Sequence, residues 1–356
     1  MQRLSYHLIE EMRHRVQVTA VTWGGSQKFL PFFLPYALMR SLWEARRGID
    51  LVSAGDPIVA VVGWIMKSIA RVPIVAVAHG LDVTFGFRPY QWVITRVLRH
   101  LDRIVCISES ARAACIARGV AIERCVIVYP GVSLPAALPS RSTARDRLAE
   151  VVGRPLDGMA ILLTVGRLVP RKGVVWYLES VYAELAAQKG DVHYVIVGDG
   201  PEVDHVKAAA TRLGLDGRVS VAGIISEDDL LHAYVGADLF VMPNVAVPGD
   251  MEGFGLVALE AAAHGLPVLA ADLEGIRAAV VPGETGELVK SGHAGAWLEA
   301  TRRHLDATDA RRASSRVARE AVASRFGWAR MADAYEAEFR NVLQSQPRSP
   351  TRHVRA

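Results

Sequence analysis

The chain has 356 residues, of which 51% are hydrophobic and 22% are charged, and its formal net charge is +4. This composition is typical of a soluble globular protein with a sizeable core, and the length predicts two domains. The positive balance favours anionic partners, but it does not choose among nucleotide phosphates, nucleic acid and anionic lipid. Lysine and arginine are scattered and no recognised nucleic-acid-binding module appears, so no nucleic-acid partner is expected.

No secretory signal is visible at the amino end, and no apolar run is long enough to span a membrane. The three cysteines lie in apolar stretches and lack the C-x-x-C spacing of a metal or redox site. We therefore expect a reduced protein in the cytoplasm.

The first half begins with a predicted helix, in which Leu4, Leu8, Met12 and Val16 keep helical spacing. Residues 28–47 predict a second helix, rich in Phe, Leu and Trp, with its prolines in the loop before it. Basic residues flank this helix, so it fits either the core of an α/β domain or peripheral contact with the inner face of the cell membrane. The predicted strands of this half are the short apolar runs 16–21, 73–79, 103–108 and 125–131.

The second half alternates apolar runs and amphipathic stretches in the same way, with predicted strands at 160–166, 192–198, 218–223, 239–244 and 266–272. Near-continuous apolar strands separated by helices indicate parallel sheets covered on both faces, and therefore a doubly wound α/β fold. A stretch rich in Pro, Ser and charge at 133–159 predicts the boundary. The predicted organisation is two Rossmann-like domains at 1–150 and 151–325, a terminal helix at 326–343 and a disordered tail at 344–356.

Two glycine-containing turns follow predicted strands of the second half. After the first, Gly166 and Arg167 precede Lys172, at a position where a doubly wound sheet binds its ligands. Two cations there could clamp a diphosphate, and the alternative is a solvated basic turn. After the next strand, Gly198 and Gly200 begin like a dinucleotide fingerprint that lacks its third glycine. These two glycines predict a tight turn near a ligand rather than a hydride-transfer site.

The stretch 249–268, "GDMEGFGLVALEAAAHGLPV", holds two glutamates eight positions apart. The amides of Phe254, Gly255 and Leu256 are predicted at a helix amino end, where free N–H groups and the helix dipole bind anions. Glu260 falls within the helix among apolar residues, and Glu252 lies in the loop before it. A buried carboxylate needs donors, which a ribose diol or a neighbouring arginine would supply to Glu260.

The segment "EGFGLVALE" resembles the E-x7-E motif of retaining glycosyltransferases of family 4, which have the GT-B fold. The other motifs stand in the family's order, and the resemblance covers residues 16 to 343, most specifically in the second half. These motifs are "HGLD" (79–82), "YPGV" (129–132), "VGRLVPRKG" (165–173), "GDGPE" (198–202) and "MPN" (242–244). The resemblance implies two Rossmann-like domains with a cleft between them, and a terminal helix that crosses back to the first domain.

By position, the resemblance implies that Glu260 binds the nucleotide ribose and that Glu252 binds hydroxyls of the donor sugar. The amides of 254–256 would hold the sugar and diphosphate, and Arg167 and Lys172 would neutralise the leaving diphosphate. His79 would lie near the reacting sugar carbon or its hydroxyls. Retention in this family is described as same-face attack, with the leaving phosphate helping to deprotonate the acceptor, so neither glutamate is a nucleophile.

The resemblance further implies a hexosyl transfer from a nucleoside-diphosphate sugar to a glycan or lipid-linked acceptor, as in cell-envelope polysaccharide synthesis. No cofactor is expected, and no metal, because the chain has no Asp-x-Asp; Asp82 and Asp199 are interpreted as turn carboxylates. Two alternatives are a nucleotide-sugar 2-epimerase of GT-B fold and a non-catalytic sugar-nucleotide-binding protein. The donor base, the donor sugar and the acceptor remain open.

The amino end departs from the family pattern. Family members normally begin with a strand and a glycine-rich loop, whereas this sequence begins within the first predicted helix. The "WGG" at 23–25 follows the second strand of the pattern and does not replace that loop. We interpret the given start as lying downstream of the native one, and a truncated protein with a damaged donor site is the alternative.

Overall fold

The computed structural model describes residues 2–25 and 29–346, with the backbone alone for residue 2 and residues 308–314. The chain divides into two compact units: unit 1 is Met1–Gly131 with Trp328–Ala356, and unit 2 is Val132–Gly327. The division thus falls well before the expected boundary at 150. The reason is helix α7 (Arg141–Val152), which occupies part of the supposed linker and packs on helix α11 (Glu227–Gly236) of unit 2.

Unit 1 contains a parallel sheet with the strand order β1-β2-β3-β4. Its strands are β1 (Val52–Ala54), β2 (Ile74–Ala78), β3 (Arg103–Cys106) and β4 (Cys125–Ile127). Its helices are α1 (Gln2–Arg13), α2 (Leu30–Arg46), α3 (Ala60–Ala70), α4 (Leu81–Thr84), α5 (Arg88–Leu98), α6 (Glu109–Ala117) and α16 (Trp328–Ser345). Every residue of β2 is buried, as expected for a parallel strand covered on both faces.

The predicted strand at 16–21 is wrong. Val16 is 44% exposed, and residues 17–24 belong to no helix or strand. The β-branched residues of this run suit a strand, but a strand also needs a neighbour to pair with, which local sequence does not reveal. The helix before it is observed as α1, whose Leu4, Leu8 and Met12 are buried at the predicted spacing.

The prediction that a loop holds the prolines of the second helix is also wrong. Pro31 lies in the first turn of α2, where its missing N–H group would have no helical partner in any case. Pro35 lies inside the helix, one turn further on. Its missing N–H group removes only one hydrogen bond of the helix, the one to the carbonyl of Pro31.

The predicted terminal helix is observed as α16 and belongs to unit 1, where it packs against α1. The ring of Trp328 stacks on His7 with centroids 4.1 Å apart, and Arg15 contacts Glu336 at 3.3 Å. Met331 and Tyr335 are buried on the same helix, so apolar packing rather than charge alone holds it. The tail predicted at 344–356 is wrong at its start, because residues 344 and 345 belong to α16, and residues 347–356 lie outside the described residues.

Unit 2 contains a parallel sheet with the strand order β10-β9-β8-β5-β6-β7. Its strands are β5 (Ala160–Val165), β6 (Val192–Val197), β7 (Val219–Gly223), β8 (Leu239–Met242), β9 (Val268–Asp272) and β10 (Glu287–Lys290). Its further helices are α8 (Val174–Tyr177), α9 (Ala183–Gln188), α10 (Val203–Arg212), α12 (Leu256–Ala263), α13 (Ile276–Ala279), α14 (Ala294–Asp306) and α15 (Thr308–Arg325). A single π-helical turn, Leu178–Tyr182, joins α8 to α9.

The strand order of unit 2 reverses at β5. From β5 the chain winds outward through β6 and β7, and it then crosses back to continue through β8, β9 and β10. The loops after β5 and β8 therefore leave the sheet at its switch point, where open parallel sheets bind ligands. The predicted fold class, α/β with two Rossmann-like parallel sheets, is confirmed. None of the helices within residues 2–25 and 29–346 is long and apolar enough to cross a membrane.

Candidate functional site

A buried cluster of charged and polar side chains lies beyond the carboxyl ends of β5 and β8. Lys172 Nζ donates to Glu252 Oε2 at 2.6 Å, and Asn244 Nδ2 donates to the same oxygen at 3.0 Å. Arg171 lies 3.5 Å from that oxygen and binds Asp250 at 2.8 Å. The side chains of Lys172 and Glu252 are only 10% and 13% exposed. We call Arg171, Lys172, Asn244, Asp250 and Glu252 the carboxylate cluster.

Close backbone packing brings the two halves of the cluster together. Lys172 ends a 3-10 turn after β5, and Gly173 follows it with φ +64°. A Cβ on Gly173 would lie 2.0 Å from the carbonyl oxygen of Pro243, so only glycine permits this approach. The amide of Val245 donates to the carbonyl of Arg171 at 2.9 Å, which joins the two loops directly.

The ionised form of Glu252 is favoured despite its burial. Burial alone would raise the pKa of this carboxyl, but the charges and hydrogen bonds of Lys172, Arg171 and Asn244 outweigh it, so the pKa lies below its usual range. Oxygen Oε2 accepts both short hydrogen bonds. Oxygen Oε1 accepts no hydrogen bond from any residue within 2–25 and 29–346. The site therefore holds an oriented carboxylate with one oxygen left to accept from a ligand.

The glycine turns after β5 and β6 pack closely against each other. Gly198 has φ +137°, and a Cβ there would lie 1.9 Å from the carbonyl oxygen of Gly166. Gly200 has φ +155°, and its Cβ would lie 2.2 Å from the carbonyl oxygen of Leu168. These two glycines let the two loops touch, and their predicted place near a ligand stays a prediction.

We expect Gly198→Ala to destabilise the protein by roughly 3 kcal/mol or to prevent folding, because the new methyl group meets backbone that has no room to move. Gly190→Ala is the matched control, since a Cβ at Gly190 has no atom within 4 Å. Thermal unfolding of both variants measures the difference. Equal melting temperatures for the two variants would contradict this account of the loop packing.

Arg167 leaves the Gly166 turn with an exposed side chain. It has no ion-pair partner among the residues that the structure describes. Arg167 thus places a positive charge near the carboxyl end of β5. Lys172, in contrast, is paired with Glu252. The predicted contact of both cations with a diphosphate stays a prediction.

The predicted anion-binding helix end is formed by α12. Gly255 is its N-cap residue with φ +86°, and no side chain caps this end of the helix. Leu256 begins the helix, and Phe254 is 4% exposed and packs edge-on against Phe326 at 6.2 Å. The buried Phe254 ring fixes the backbone at the helix start, and the uncapped N–H groups are suited to an anion.

Glu260 lies in the middle of α12 and is half-buried. The hydroxyl of Tyr234 donates to Glu260 Oε2 at 3.1 Å, and the Tyr234 ring stacks on His264 with centroids 4.9 Å apart. Tyr234 is 2% exposed, so it is a rigid support for the carboxylate. Sequence reasoning expected a ribose or an arginine as the partner of Glu260 and did not anticipate this tyrosine.

His79 follows β2 and belongs to unit 1, whereas the residues described above belong to unit 2. Its Nε2 donates to the carbonyl of Gly55 at 2.9 Å, and both carboxylate oxygens of Asp82 accept from the His79 amide at 3.0 and 3.1 Å. Burial lowers the pKa of His79 below its usual value although Asp82 opposes this. The imidazole is thus neutral near pH 7, with Nδ1 as its acceptor atom.

The structure brings together Lys172 and Glu252 among the predicted site residues. Of the remaining members of the carboxylate cluster, Arg171 and Asn244 stand in quoted motifs, "VGRLVPRKG" and "MPN", without an assigned function. Glu274, in the loop after β9, also contacts Glu252 and had no sequence signal at all. Among the described residues, no three His, Cys, Asp or Glu side chains come together as a metal-ligand set.

Comparison with known proteins agrees with this architecture. Residues 3–135 match the family described as Glycosyltransferase Family 4, and residues 160–307 match the one described as Glycosyl transferases group 1. Among solved structures, HepE of Anabaena in complex with UDP and glucose superposes with a TM-score of 0.75 at 23% identity, covering 94% of this chain and 89% of that one. Sucrose-phosphate synthase from Thermosynechococcus elongatus superposes with a TM-score of 0.74 at 25% identity, covering 93% of this chain and 83% of that one.

These matches define the class: the chain has the GT-B fold and carries glycosyltransferase domains in both units. The chain belongs to glycosyltransferase family 4, as the E-x7-E motif indicated.

Curated relatives include the D-inositol 3-phosphate glycosyltransferase of Mycolicibacterium smegmatis (strain ATCC 700084 / mc(2)155). It is 32% identical over 299 residues, which are 79% of this chain and 65% of that protein. The protein of the same name from Mycobacterium bovis (strain BCG / Pasteur 1173P2) is 33% identical over 302 residues, 79% of this chain and 59% of that protein. The chain thus spans about two thirds or less of the length of these relatives.

Proposed function

We propose that the protein is a retaining glycosyltransferase, which moves a hexosyl group from a nucleoside-diphosphate sugar to a glycan or lipid-linked acceptor. The observation that carries the proposal is Glu252 at the switch point of unit 2. Lys172 and Asn244 hold one oxygen of this buried carboxylate, and the other oxygen is left to accept a hydrogen bond. A sugar hydroxyl is a neutral donor that suits such an oxygen, since charge-assisted hydrogen bonds are stronger than neutral ones.

The remaining groups of unit 2 fit the other parts of such a donor. The uncapped start of α12 suits the diphosphate, as does the exposed Arg167. Glu260, supported by Tyr234, suits a ribose diol. The names of the relatives agree with this assignment, since HepE is solved with UDP and glucose and the mycobacterial proteins are named for glycosyl transfer to inositol 3-phosphate.

In this proposal the charge that grows on the leaving diphosphate is stabilised by fixed positive groups. Arg167 and the amides at 254–256 are candidates for direct contact, and Lys172 contributes from its pair with Glu252. Because Glu252 is engaged in orienting the sugar, it is not assigned as a nucleophile, and the acceptor attacks on the face that the diphosphate leaves. His79 offers Nδ1 as an acceptor to a sugar or acceptor hydroxyl.

We further propose that the transfer needs no metal ion and no cofactor other than the nucleotide sugar. Arg167, which has no ion-pair partner among the described residues, and the uncapped start of α12 supply the positive charge that a bridging metal would otherwise bring. The test is turnover in the presence of excess EDTA, which we expect to equal turnover without EDTA. Loss of turnover in EDTA, restored by Mg²⁺ or Mn²⁺, would show this part of the proposal to be wrong.

The experiment that tests the function is an assay of nucleoside-diphosphate release from hexose donors, with glycan and lipid-linked acceptors supplied in turn. Proton NMR of the product then reports the anomeric configuration. An α-configured donor should give an α-linked product. A β-linked product would refute retention, and donor converted to its 2-epimer without transfer would favour the epimerase.

We propose that the protein works at the cytoplasmic face of a membrane and contacts it through α2. The free thiols of Cys106, Cys115 and Cys125, all buried, suit a reducing compartment. On α2, Phe32, Tyr36 and Met39 are 77%, 59% and 70% exposed at helical spacing. Further along the helix, the guanidinium groups of two arginines lie over the Trp43 ring, as at the interface of an anionic bilayer; they are Arg40 and Arg47, at 4.3 and 3.8 Å.

We expect Phe32→Ser with Met39→Ser to weaken binding to vesicles of anionic phospholipid at least 10-fold, because each lost side chain removes apolar area from the interface. Ile224→Ser, at an 82% exposed residue of unit 2, is the control. Vesicle co-sedimentation measures the binding. If the wild-type protein does not sediment with the vesicles, or the double variant sediments equally well, α2 is not a membrane surface.

A further inference from the structure

Glu274 has a backbone conformation that glutamate rarely adopts. Its φ is +45°, and among the described residues only Arg71 shares a positive φ without being glycine. Arg71 ends α3 as its C-cap, a position where left-handed residues are common. Glu274 lies in the loop after β9 and caps no helix, so its strained conformation needs another explanation.

The Glu274 side chain binds the backbone of Glu252. Its Oε2 accepts the amide N–H of Glu252 at 2.6 Å, while the amide of Gly275 donates to the Glu252 carbonyl at 3.1 Å. The first hydrogen bond holds the N–H group of Glu252 and the second holds its carbonyl group, so the backbone of this residue is fixed at both ends. A Cβ on Gly275 would lie 2.0 Å from the carbonyl oxygen of Gly253, so the two loops are in direct backbone contact.

The arrangement is unfavourable for Glu274 itself. Burial raises the pKa of its carboxyl, and the nearby charges of Glu252 and Asp250 raise it further, against the amide hydrogen bond and Arg171. A glycine would adopt the same φ without strain and without adding a second carboxylate beside Glu252. The residue therefore brings strain and charge repulsion to a place where its side chain makes one hydrogen bond with residues 2–25 and 29–346, to the Glu252 amide. Such costs concentrate at functional sites.

We propose that Glu274 is a positioning residue, whose carboxylate fixes the Glu252 loop so that Glu252 Oε1 faces the donor sugar. The part about the sugar rests on the proposed function, whereas the contact with the Glu252 amide does not. Lys172 and Asn244 orient the side chain of Glu252, and Glu274 orients its backbone. Both are needed, because a carboxylate that is held only at its end can move with its loop.

The test uses Glu274→Gly, Glu274→Gln and the matched control Arg71→Gly in the full chain. Glycine removes the left-handed strain at either position, but only Glu274→Gly also removes the hydrogen bond to Glu252. Glutamine keeps an oxygen that can accept the Glu252 amide. Three quantities are measured: hydrogen exchange in the peptide 249–256, the melting temperature, and kcat and KM of donor turnover.

We expect Glu274→Gly to melt at or above the wild-type temperature, while the amides of 249–256 exchange at least 10-fold faster and kcat falls 10- to 100-fold. KM for the donor should change less than 3-fold, because the nucleotide contacts remain. In Glu274→Gln, both the exchange rates of the amides of 249–256 and kcat should lie within about 5-fold of the wild-type values. Arg71→Gly should share the gain in melting temperature without any change at 249–256.

Unchanged exchange at 249–256 in Glu274→Gly overturns the proposal, whatever its turnover. Faster exchange with undiminished kcat also overturns it, because the loop position would then not matter. A wild-type protein that turns over no nucleotide sugar refutes the proposed function instead, and the exchange measurement still decides whether Glu274 holds the Glu252 loop.

Discussion

Glu252→Gln is expected to lower the stability of the protein by about 3 kcal/mol, because it leaves the buried Lys172 ammonium group without its anion. For a unit of this size, that corresponds to a fall of roughly 6–12 °C in melting temperature. Turnover should fall about 100- to 1000-fold, since the amide cannot offer the donor sugar a charged oxygen. Calorimetric melting and the donor-release assay measure the two effects.

A second substitution separates these effects. Adding Lys172→Met to Glu252→Gln removes the unpaired charge and should recover most of the lost stability, because apolar replacement of a buried ion pair is often neutral. Turnover should stay low in the double variant. Lys189→Met is the control, since Lys189 pairs with the exposed Asp306 at the surface and should change stability by less than about 0.5 kcal/mol. A double variant as unstable as Glu252→Gln would contradict the pairing.

The second large effect is expected in nucleotide binding. Glu260→Ala should weaken the binding of the nucleoside diphosphate by about 3 kcal/mol, roughly 100-fold in Kd, because a ribose diol would lose two hydrogen bonds to a charged acceptor. Tyr234→Phe removes only the support of one carboxylate oxygen and should weaken binding several-fold. Isothermal titration calorimetry measures both constants.

Glu299→Ala is the matched control for Glu260→Ala, because it replaces an exposed glutamate on another helix of unit 2, α14. Its Kd should equal that of the wild type. The ribose assignment is wrong if Glu260→Ala binds the nucleotide as tightly as this control does. Alanine favours helix, so a loss of binding in Glu260→Ala would not reflect unfolding of α12.

The sequence predicted the sheet of unit 2 better than that of unit 1. The runs that became β5, β6 and β8 are central, apolar and covered on both faces, so their composition alone indicates a strand. The short edge strands β1 and β10 have few apolar residues and were not predicted. The run at 16–21 has the composition of a strand but is unpaired. Pairing is a long-range property that local composition does not contain.

The residues of the candidate site that lie in a recognisable sequence motif could be predicted. The two glutamates and Lys172 were identified from their spacing and position, and the pairing of Lys172 with Glu252 follows from the approach of Gly173 to Pro243. That approach joins residues about 70 positions apart and could not be deduced from the sequence. Glu274 left no trace in the sequence, because its significance lies in a backbone angle and one hydrogen bond.

The central claim is that unit 2 binds a nucleotide sugar, and it is tested most directly by calorimetric titration of the protein with UDP, GDP and ADP and with their glucose conjugates. We expect one nucleotide to bind selectively without added metal, and its sugar conjugate to bind more tightly than the diphosphate because Glu252 contacts the sugar. If the folded protein binds none of the six ligands, with or without Mg²⁺, the claim that unit 2 binds a nucleotide sugar is wrong.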